Sequence, residues 1–558
     1  MRHKLKLCLM LAVTAKALLL TGVAYAASLV PFNLQMNDVG VGIDGRNTTK
    51  PRLFVSLDKG FSKAKPFDPV LKYNRIGGYV FECGGVKVKS GEICHFKPLK
   101  YGDSSQVISL YKGAVLDSTY TVVFTNLPVI ELRTAKAIVD NPKVQGTLRL
   151  MSAEFKQDTG LLPMGIETAG QTSQNYKEKP YGVQLGTSTA GWNVAKNYPL
   201  LDMPSRDDWR LDPAYRDTTK ARNRVVADLY RTIANQDKNR PKAAASIKGQ
   251  SIELILNGVY QGIYVLEEKV DRALLDLKKV NVLKAANGQP DWAAVDFSKP
   301  ENFSVLYKAD YEDWNTPDGS LPVDAGTDFV GPTSTLFAAY TPGEIERNFS
   351  VVYPKTTGTP QYAPLIDLID FVVNSDDVSF TQEIGTRIDL KSLANWWLLV
   401  QLSQGNDNIG KNFFIARNAG PTPVDRKFFV VPWDGDATFG MLWNGKPEAP
   451  SSYFDVSSNN LIRRLLENPG TGFSALLKSQ WNGFRQGVDA PFTEAKILAR
   501  FASYESQLTL GGAKLRDAEK WPKPDTAGVG NPKIATARYI GNFLKLRLPA
   551  MDSYISKL

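Results

Sequence analysis

Histidine is almost absent from this sequence. The 558 residues contain two, His3 and His95, and the first stands at the extreme N-terminus. One usable imidazole cannot build a His-rich zinc site, and any Ser-His-Asp or Cys-His triad has to run through His95. Cysteine is nearly as scarce, and Cys8, Cys83 and Cys94 are too few for a Cys-based zinc cluster. Past the N-terminal stretch no run of about 18 apolar residues occurs, so no stable membrane insertion is expected. Carboxylates and lysines are left to carry any chemistry. What is present is ordinary: 43% apolar, 22% charged and 10% aromatic residues. That balance excludes wholesale disorder, collagen and coiled coil. The length predicts more than one domain and a core that needs no disulfide framework.

Residues 1–26 read as an export signal. Arg2, Lys4 and Lys6 precede an apolar run from Leu7 to Val23, and Ala24-Tyr25-Ala26 places small residues at the cleavage positions. Lys16 inside the run argues against an N-terminal anchor helix. No cysteine follows the cut, so a lipid anchor is not expected. Removing four positive and no negative charges takes the net charge from +10 to +6, an excess too small to predict nucleic-acid binding. Cleavage also removes Cys8. Cys83 and Cys94 remain as an even pair, for which a disulfide is the default in an oxidising compartment, over two unrelated buried thiols. The expected location is periplasm or medium.

The chain divides into two unequal parts. Residues 27–126 alternate short β-branched and aromatic runs with Gly, Asp and Ser, as in 78–83, 106–111 and 118–124, and predict a small β-sandwich-like domain. Nothing there reads as catalytic, and His95 is a structural or surface residue. Residues 127–558 are mixed. Strands are expected at 129–132, 165–168, 252–256 and 262–266. Helices are expected from near Asp217 toward Ala234, across Leu390–Ser403, and through most of the chain after Asn460. Strands early and helices late give an α+β class. The Pro/Gly-rich stretch 310–358 reads as a long surface excursion.

The residues suited to chemistry lie between 405 and 440. Gly405 to Lys411 spells the start of a phosphate-binding loop. That loop runs from strand to helix and ends in Ser or Thr, whereas here the order is helix to strand and Asn412 follows. Counting from Asp407 is more productive. Asp407-x4-Asn412 has the spacing of a kinase catalytic loop, in which the Asp accepts the substrate hydroxyl proton and the Asn holds a metal. Further on, the hydrophobic run Phe428–Pro432 leads to Trp433, Asp434, Gly435 and Asp436, then Phe439-Gly440. A kinase places its metal-binding Asp after such a strand, before a Phe-Gly turn. Hard oxygen ligands of this kind suit Mg²⁺ or Mn²⁺. The bland alternative for Asp434 and Asp436 is an ordinary acidic turn.

Together these residues resemble the CotH-type secretory kinases, whose marks are an Asp-Asn…Lys-Asn loop and a later Pro-Trp-Asp-x-Asp-x-x-Phe/Trp-Gly. Upstream landmarks are similar too: 257–271 around Gly262 and Glu267, Trp209-Arg210-Leu211 with Asp217, Arg222 and Asn223, and 169–174 followed by Lys179-Pro180-Tyr181. The resemblance spans roughly 130–555 and leaves the N-terminal β region outside. It implies an atypical, two-lobed, protein-kinase-like fold that transfers phosphate from ATP with a divalent metal to Ser or Thr of extracytoplasmic proteins. By motif position it makes Asp407 the catalytic-loop Asp and gives Asn412, Asp434 and Asp436 to the metal. Lys179 becomes the lysine that neutralises donor phosphates, and Glu267 a nucleotide-side or lysine-pairing carboxylate. Arg222 either contacts phosphate or only pins its helix. The sequence departs from the family where Ala169 replaces an Arg and Glu178 replaces the first lysine of a pair. Each such loss could remove a charge-assisted contact worth about 1.5–3 kcal/mol. Three readings therefore stand: an exported kinase, a kinase-fold scaffold with weak or no activity, and a carbohydrate-active enzyme. The last is disfavoured because Asp434 and Asp436 sit on one strand end, too close in placement to flank a sugar bond.

Overall fold

The protein is described by a computed structural model covering residues 33–46, 49–61, 66–74, 77–170, 172–187, 192, 194–235, 246–297, 299–309, 349–356, 361–405, 408–409, 411–452, 459–522 and 532–558. The expected signal at 1–26 and Asp407 lie outside the described residues. Helix and sheet content is mixed, as the α+β class requires. The chain forms two compact units, the first from 1–213, 249–268 and 504–524, the second from 214–248, 269–503 and 525–558.

The first unit opens with strands only. Strands β1 (Gln35–Met36), β2 (Val39–Gly40) and β5 (Leu71–Lys72) form a three-stranded sheet. A six-stranded sheet has the order β3-β4-β9-β8-β6-β7, from β3 (Gly42–Asp44), β4 (Arg52–Ser56), β6 (Tyr79–Cys83), β7 (Val86–Val88), β8 (Val107–Lys112) and β9 (Val115–Thr125). Alternation drives this layer: β8 turns Ile108 and Leu110 inward while its other side chains stay at least partly exposed. Both sheets share one core, with Met36 and Leu71 packed among Leu53, Phe81 and Phe124. Cys83 and Cys94 are joined by a disulfide, with 5.6 Å between their Cα atoms. His95 is solvent-exposed and sits 3.1 Å from Asp68.

The next strands close on themselves. They are β10 (Val129–Thr134), β11 (Val144–Ser152), β12 (Gln157–Asp158), β13 (Leu162–Thr168), β14 (Tyr181–Leu185), β15 (Asp208–Asp212), β16 (Gly249–Leu256) and β17 (Val259–Glu268). Strand β10 pairs antiparallel with β11 and parallel with β16, which completes a seven-stranded barrel with β12 attached to β11. Closure leaves no long open edge. The sequence predicts sheet here but not this closure. Leu132, Leu150, Val183, Trp209 and Leu254 fill the interior. Helix Ala513–Lys520 is fastened to the barrel wall. Arg516 forms two 2.9 Å hydrogen bonds with Glu253, and Asp517 accepts from the Ile263 amide at 2.8 Å. That second bond needs Gly262, whose φ is +104° and whose added Cβ would stand 2.4 Å from the Asp517 carboxylate.

The second unit carries a four-stranded antiparallel sheet of order β19-β18-β20-β21: β18 (Val305–Ala309), β19 (Phe349–Tyr353), β20 (Phe413–Arg417) and β21 (Phe429–Pro432). Strand β19 corrects the surface excursion expected across 310–358, of which only 349–356 fall within the described residues. Its Phe349 is buried and pairs with Ala309. Helix α1 spans Arg222–Ala234, five residues later than the start expected at Asp217. Helix α2 spans Leu390–Ser403, as its broad apolar surface predicts, and Trp396 and Trp397 are 1% and 0% exposed. Each such side chain contributes roughly 2–3 kcal/mol of burial. Asp389 caps α2 by accepting from the amides of Lys391 and Ser392. Helices dominate from Asn460 onward.

Candidate functional site

One end of the four-stranded sheet brings together Asn412 and the turn that carries Asp434, of the residues singled out between 405 and 440. Helix α2 is closed after Ser403 by Gln404, which adopts a left-handed conformation. The chain then returns as β20, so the helix-to-strand order that argues against a phosphate-binding loop is present. Strand β20 pairs with β21, with Phe413 opposite Pro432. One step beyond that rung, the Trp433 amide donates to the Asn412 carbonyl at 2.9 Å, and the Asn412 amide donates to the Ala309 carbonyl at 3.1 Å. Asn412 and Asp434 therefore leave the sheet at the same end, within one register position. Both have positive φ, 59° and 53°. Asn and Asp tolerate that region best among non-glycine residues.

Three further groups fix the turn after β21. The Asn223 Oδ1 of α1 accepts from the Gly435 amide at 2.9 Å. A Cβ on Gly435 would lie 2.8 Å from Val226, so only glycine lets α1 approach this closely. The Thr438 hydroxyl donates to the Gly435 carbonyl at 2.8 Å.

Asp436 is placed differently from Asp434. Its carboxylate lies 3.1 Å from the Arg216 guanidinium, and Arg216 also donates to the Trp443 carbonyl at 2.9 Å. Arg222 resolves to one of its two expected roles. It is 0% exposed, and its guanidinium donates to Asp217 (2.6 Å), the Thr438 carbonyl (2.9 Å) and the Ile534 carbonyl (2.6 Å). This corrects the phosphate-contact expectation: with every nitrogen engaged inside the core, Arg222 pins α1 to the Thr438 turn. Burial pushes the Asp217 carboxyl up, but Arg222, the Thr219 hydroxyl and the Arg222 amide outweigh it and hold it below the usual range.

Lys179 and Glu267 belong to the first unit. The Lys179 ammonium donates to the Gln174 carbonyl, and the Lys179 carbonyl accepts from Tyr264 at 3.0 Å. Glu267 is 1% exposed and stands 3.5 Å from Arg210, its cross-strand neighbour between β15 and β17. The β15–β17 register sets this carboxylate, read as nucleotide-side or lysine-pairing, against an arginine. Glu178 is 2% exposed. Burial and this carboxylate together push the Tyr181 phenol up to about 12 and that of Tyr264 well above the ordinary value.

Among the described residues no group of three or more His, Cys, Asp or Glu side chains could hold a metal ion. The oxygen donors near the β20–β21 end nevertheless suit a hard divalent cation. They comprise Asp434 and Asn412; the Oδ1 of Asn408, whose amide bonds the Asn412 and Trp433 carbonyls, is buried without a partner. Motif reading includes Asn408 only as the second residue of the Asp-Asn…Lys-Asn loop, with no role of its own, and passes over Arg216. The sequence signal for Arg216 is its adjacency to Asp217.

Among the described residues no helix is long and apolar enough to cross a membrane. A family model described as CotH kinase protein matches residues 166–551. Inner spore coat protein H of Bacillus subtilis (strain 168) is 23% identical over 380 residues, which cover 67% of this chain and 85% of that protein. The β region before residue 126 lies outside the family match.

Proposed function

The chain belongs to the CotH kinase family, and we propose that it is an exported atypical kinase transferring phosphate from ATP to Ser or Thr of extracytoplasmic proteins. The observation that supports this most is the junction of the two motif segments. The chain from α2 into β20 and the turn after β21 meet through the Trp433–Asn412 hydrogen bond at one sheet end. Phosphoryl transfer needs positioning and charge neutralisation more than a strong base. That suits a chain with two histidines.

In this reading the acceptor hydroxyl oxygen bonds to the γ-phosphorus, its proton passes to Asp407, and ADP leaves with the broken bridging bond. Asp434 and Asn412 would hold Mg²⁺ or Mn²⁺, with Asp436 acting through Arg216. A cation held there would supply neutralising charge at the donor phosphates. By motif position the family resemblance gives Lys179 and Glu267 nucleotide-side roles. The fold that goes with this reading is the atypical two-lobed kinase, the barrel unit being the smaller lobe. The Cys83–Cys94 disulfide supports an oxidising compartment, and the spore coat relative supports a coat or extracellular destination.

A second reading rests on Glu178. A buried carboxylate stands where the family resemblance expects a lysine, which favours a scaffold of weak or absent activity. Labelling separates the two. Mature protein is incubated with γ-labelled ATP, Mg²⁺ or Mn²⁺ and casein, alongside Asp407→Ala and Asp434→Ala. Label lost in both variants is the expected result. No label in the wild type, with no metal-dependent thermal shift by ATP, selects the scaffold.

A further inference from the structure

Asn408 lies between α2 and β20 and is 4% exposed. Its side-chain amide donates to the Trp433 carbonyl at 2.7 Å and to the Asn412 carbonyl at 3.3 Å. The first carbonyl belongs to the peptide group that leads into Asp434. The second belongs to the peptide group that leaves Asn412. The Asn412 amide is held in turn by Ala309. Both peptide groups around Asn412 and the one entering Asp434 are thereby fixed. The two residues so fixed are the two with positive φ at this sheet end. Such conformations carry a conformational cost and persist where surrounding bonds over-determine them.

Asn408 meets its own hydrogen-bonding needs only in part. Its Oδ1 is buried without a partner, and Gly405 stands so close that a Cβ there would lie 2.7 Å from that oxygen. Leaving a buried acceptor unmade is unfavourable. A side chain that satisfies two backbone carbonyls at this expense is placed for geometry. Aspartate, the nearest isostere, could not donate and would set negative charge against both carbonyls.

We propose that Asn408 is a positioning residue: it clamps the β20 and β21 ends together and thereby sets the left-handed conformations from which Asn412 and Asp434 present oxygen to one cation–nucleotide site. The clamp is read from backbone geometry; its consequence for the cation rests on the transferase reading above.

Three measurements on the full mature chain test it, with Asn408→Ala and Asn408→Asp beside the wild type. Amide hydrogen exchange is followed across 408–416 and 429–440. Mn²⁺ affinity is measured by electron paramagnetic resonance of the free ion, with and without ATP. The kcat and KM for ATP complete the set. Loss of both hydrogen bonds should raise exchange about tenfold in these two segments, with the barrel unchanged. Affinity for Mn²⁺ with ATP should fall about tenfold, and kcat should fall more than KM rises. Wild-type exchange in both segments overturns the clamp and leaves the transferase reading standing. Faster exchange throughout the second unit also overturns it, since Asn408 would then be a general stabiliser. Loosened segments with unchanged Mn²⁺ affinity overturn the positioning role. If the wild type transfers no phosphate while the variants loosen both segments and lose Mn²⁺, the transferase reading fails and the clamp holds.

Discussion

Arg222 has all its nitrogens engaged within the fold, and its partner Asp217 is 1% exposed. Removing one member of a buried pair leaves an uncompensated charge, which typically costs about 3–5 kcal/mol. Arg222→Met is expected to lower urea-unfolding stability by that order. Arg222→Lys should be only a partial rescue, because an ammonium cannot reach Asp217, Thr438 and Ile534 with one planar fork. The same pair gives stability a pH dependence. The folded Asp217 carboxyl titrates below its unfolded value, near about 4. Its stabilisation is therefore complete above that unfolded value and is lost as pH falls through the folded one. Urea midpoints at pH 7 and pH 3 should converge between wild type and Asp217→Asn as the pH is lowered. Asp434 and Asp436 separate by their partners. Asp434→Asn is expected to abolish transfer. Asp436→Asn should reduce it by roughly ten- to a hundredfold, the equivalent of one charge-assisted contact to Arg216. Equal losses in initial-rate assays would mean that both carboxylates meet the cation directly.

At the scale of elements, α1 and the turn after β21 depend on one missing side chain. Gly435→Ala would bring a Cβ to within 2.8–2.9 Å of Val226, and such overpacking costs about 1–3 kcal/mol. Trimming the opposing residue should restore part of it. In calorimetry the double variant Gly435→Ala, Val226→Ala is expected to unfold at a higher temperature than additivity of the singles allows. Legibility differed between elements for physical reasons. Helix α2 could be read to its ends because every turn is apolar and Asp389 marks its start. Helix α1 was read as starting at Asp217, but that carboxylate accepts from the amides of Thr219, Ala221 and Arg222. An acid that ties a turn ahead of a helix looks, in sequence, like the helix cap itself. Strand β19 was missed because Pro- and Gly-rich flanks masked a short run whose burial comes from pairing with β18.

For the whole molecule, the disulfide is the simplest test. Cys83 and Cys94 are 11 residues apart, a loop whose closure contributes roughly 2–3 kcal/mol. Paired Cys→Ser substitution should lower the first unit's unfolding free energy, read from denaturant titration, by that amount and leave phosphoryl transfer unchanged. The sequence by itself determined the α+β class, the family through motifs at fixed spacings, and, with Cys8 read as part of an expected export signal, the pairing of Cys83 with Cys94. These are local in character: periodicity, short spacings and parity survive without knowing which segments touch. Barrel closure was decided only by tertiary structure, because β10 meets β16 across more than a hundred residues and alternation does not say which strand lies beside which. The partners of charged residues were decided there too. Glu267 faces Arg210 through the β15–β17 register, Asp436 faces Arg216, and Arg222 points into the core. Asn408 gained its role the same way, from two carbonyls that chain reversal sets within reach of one amide.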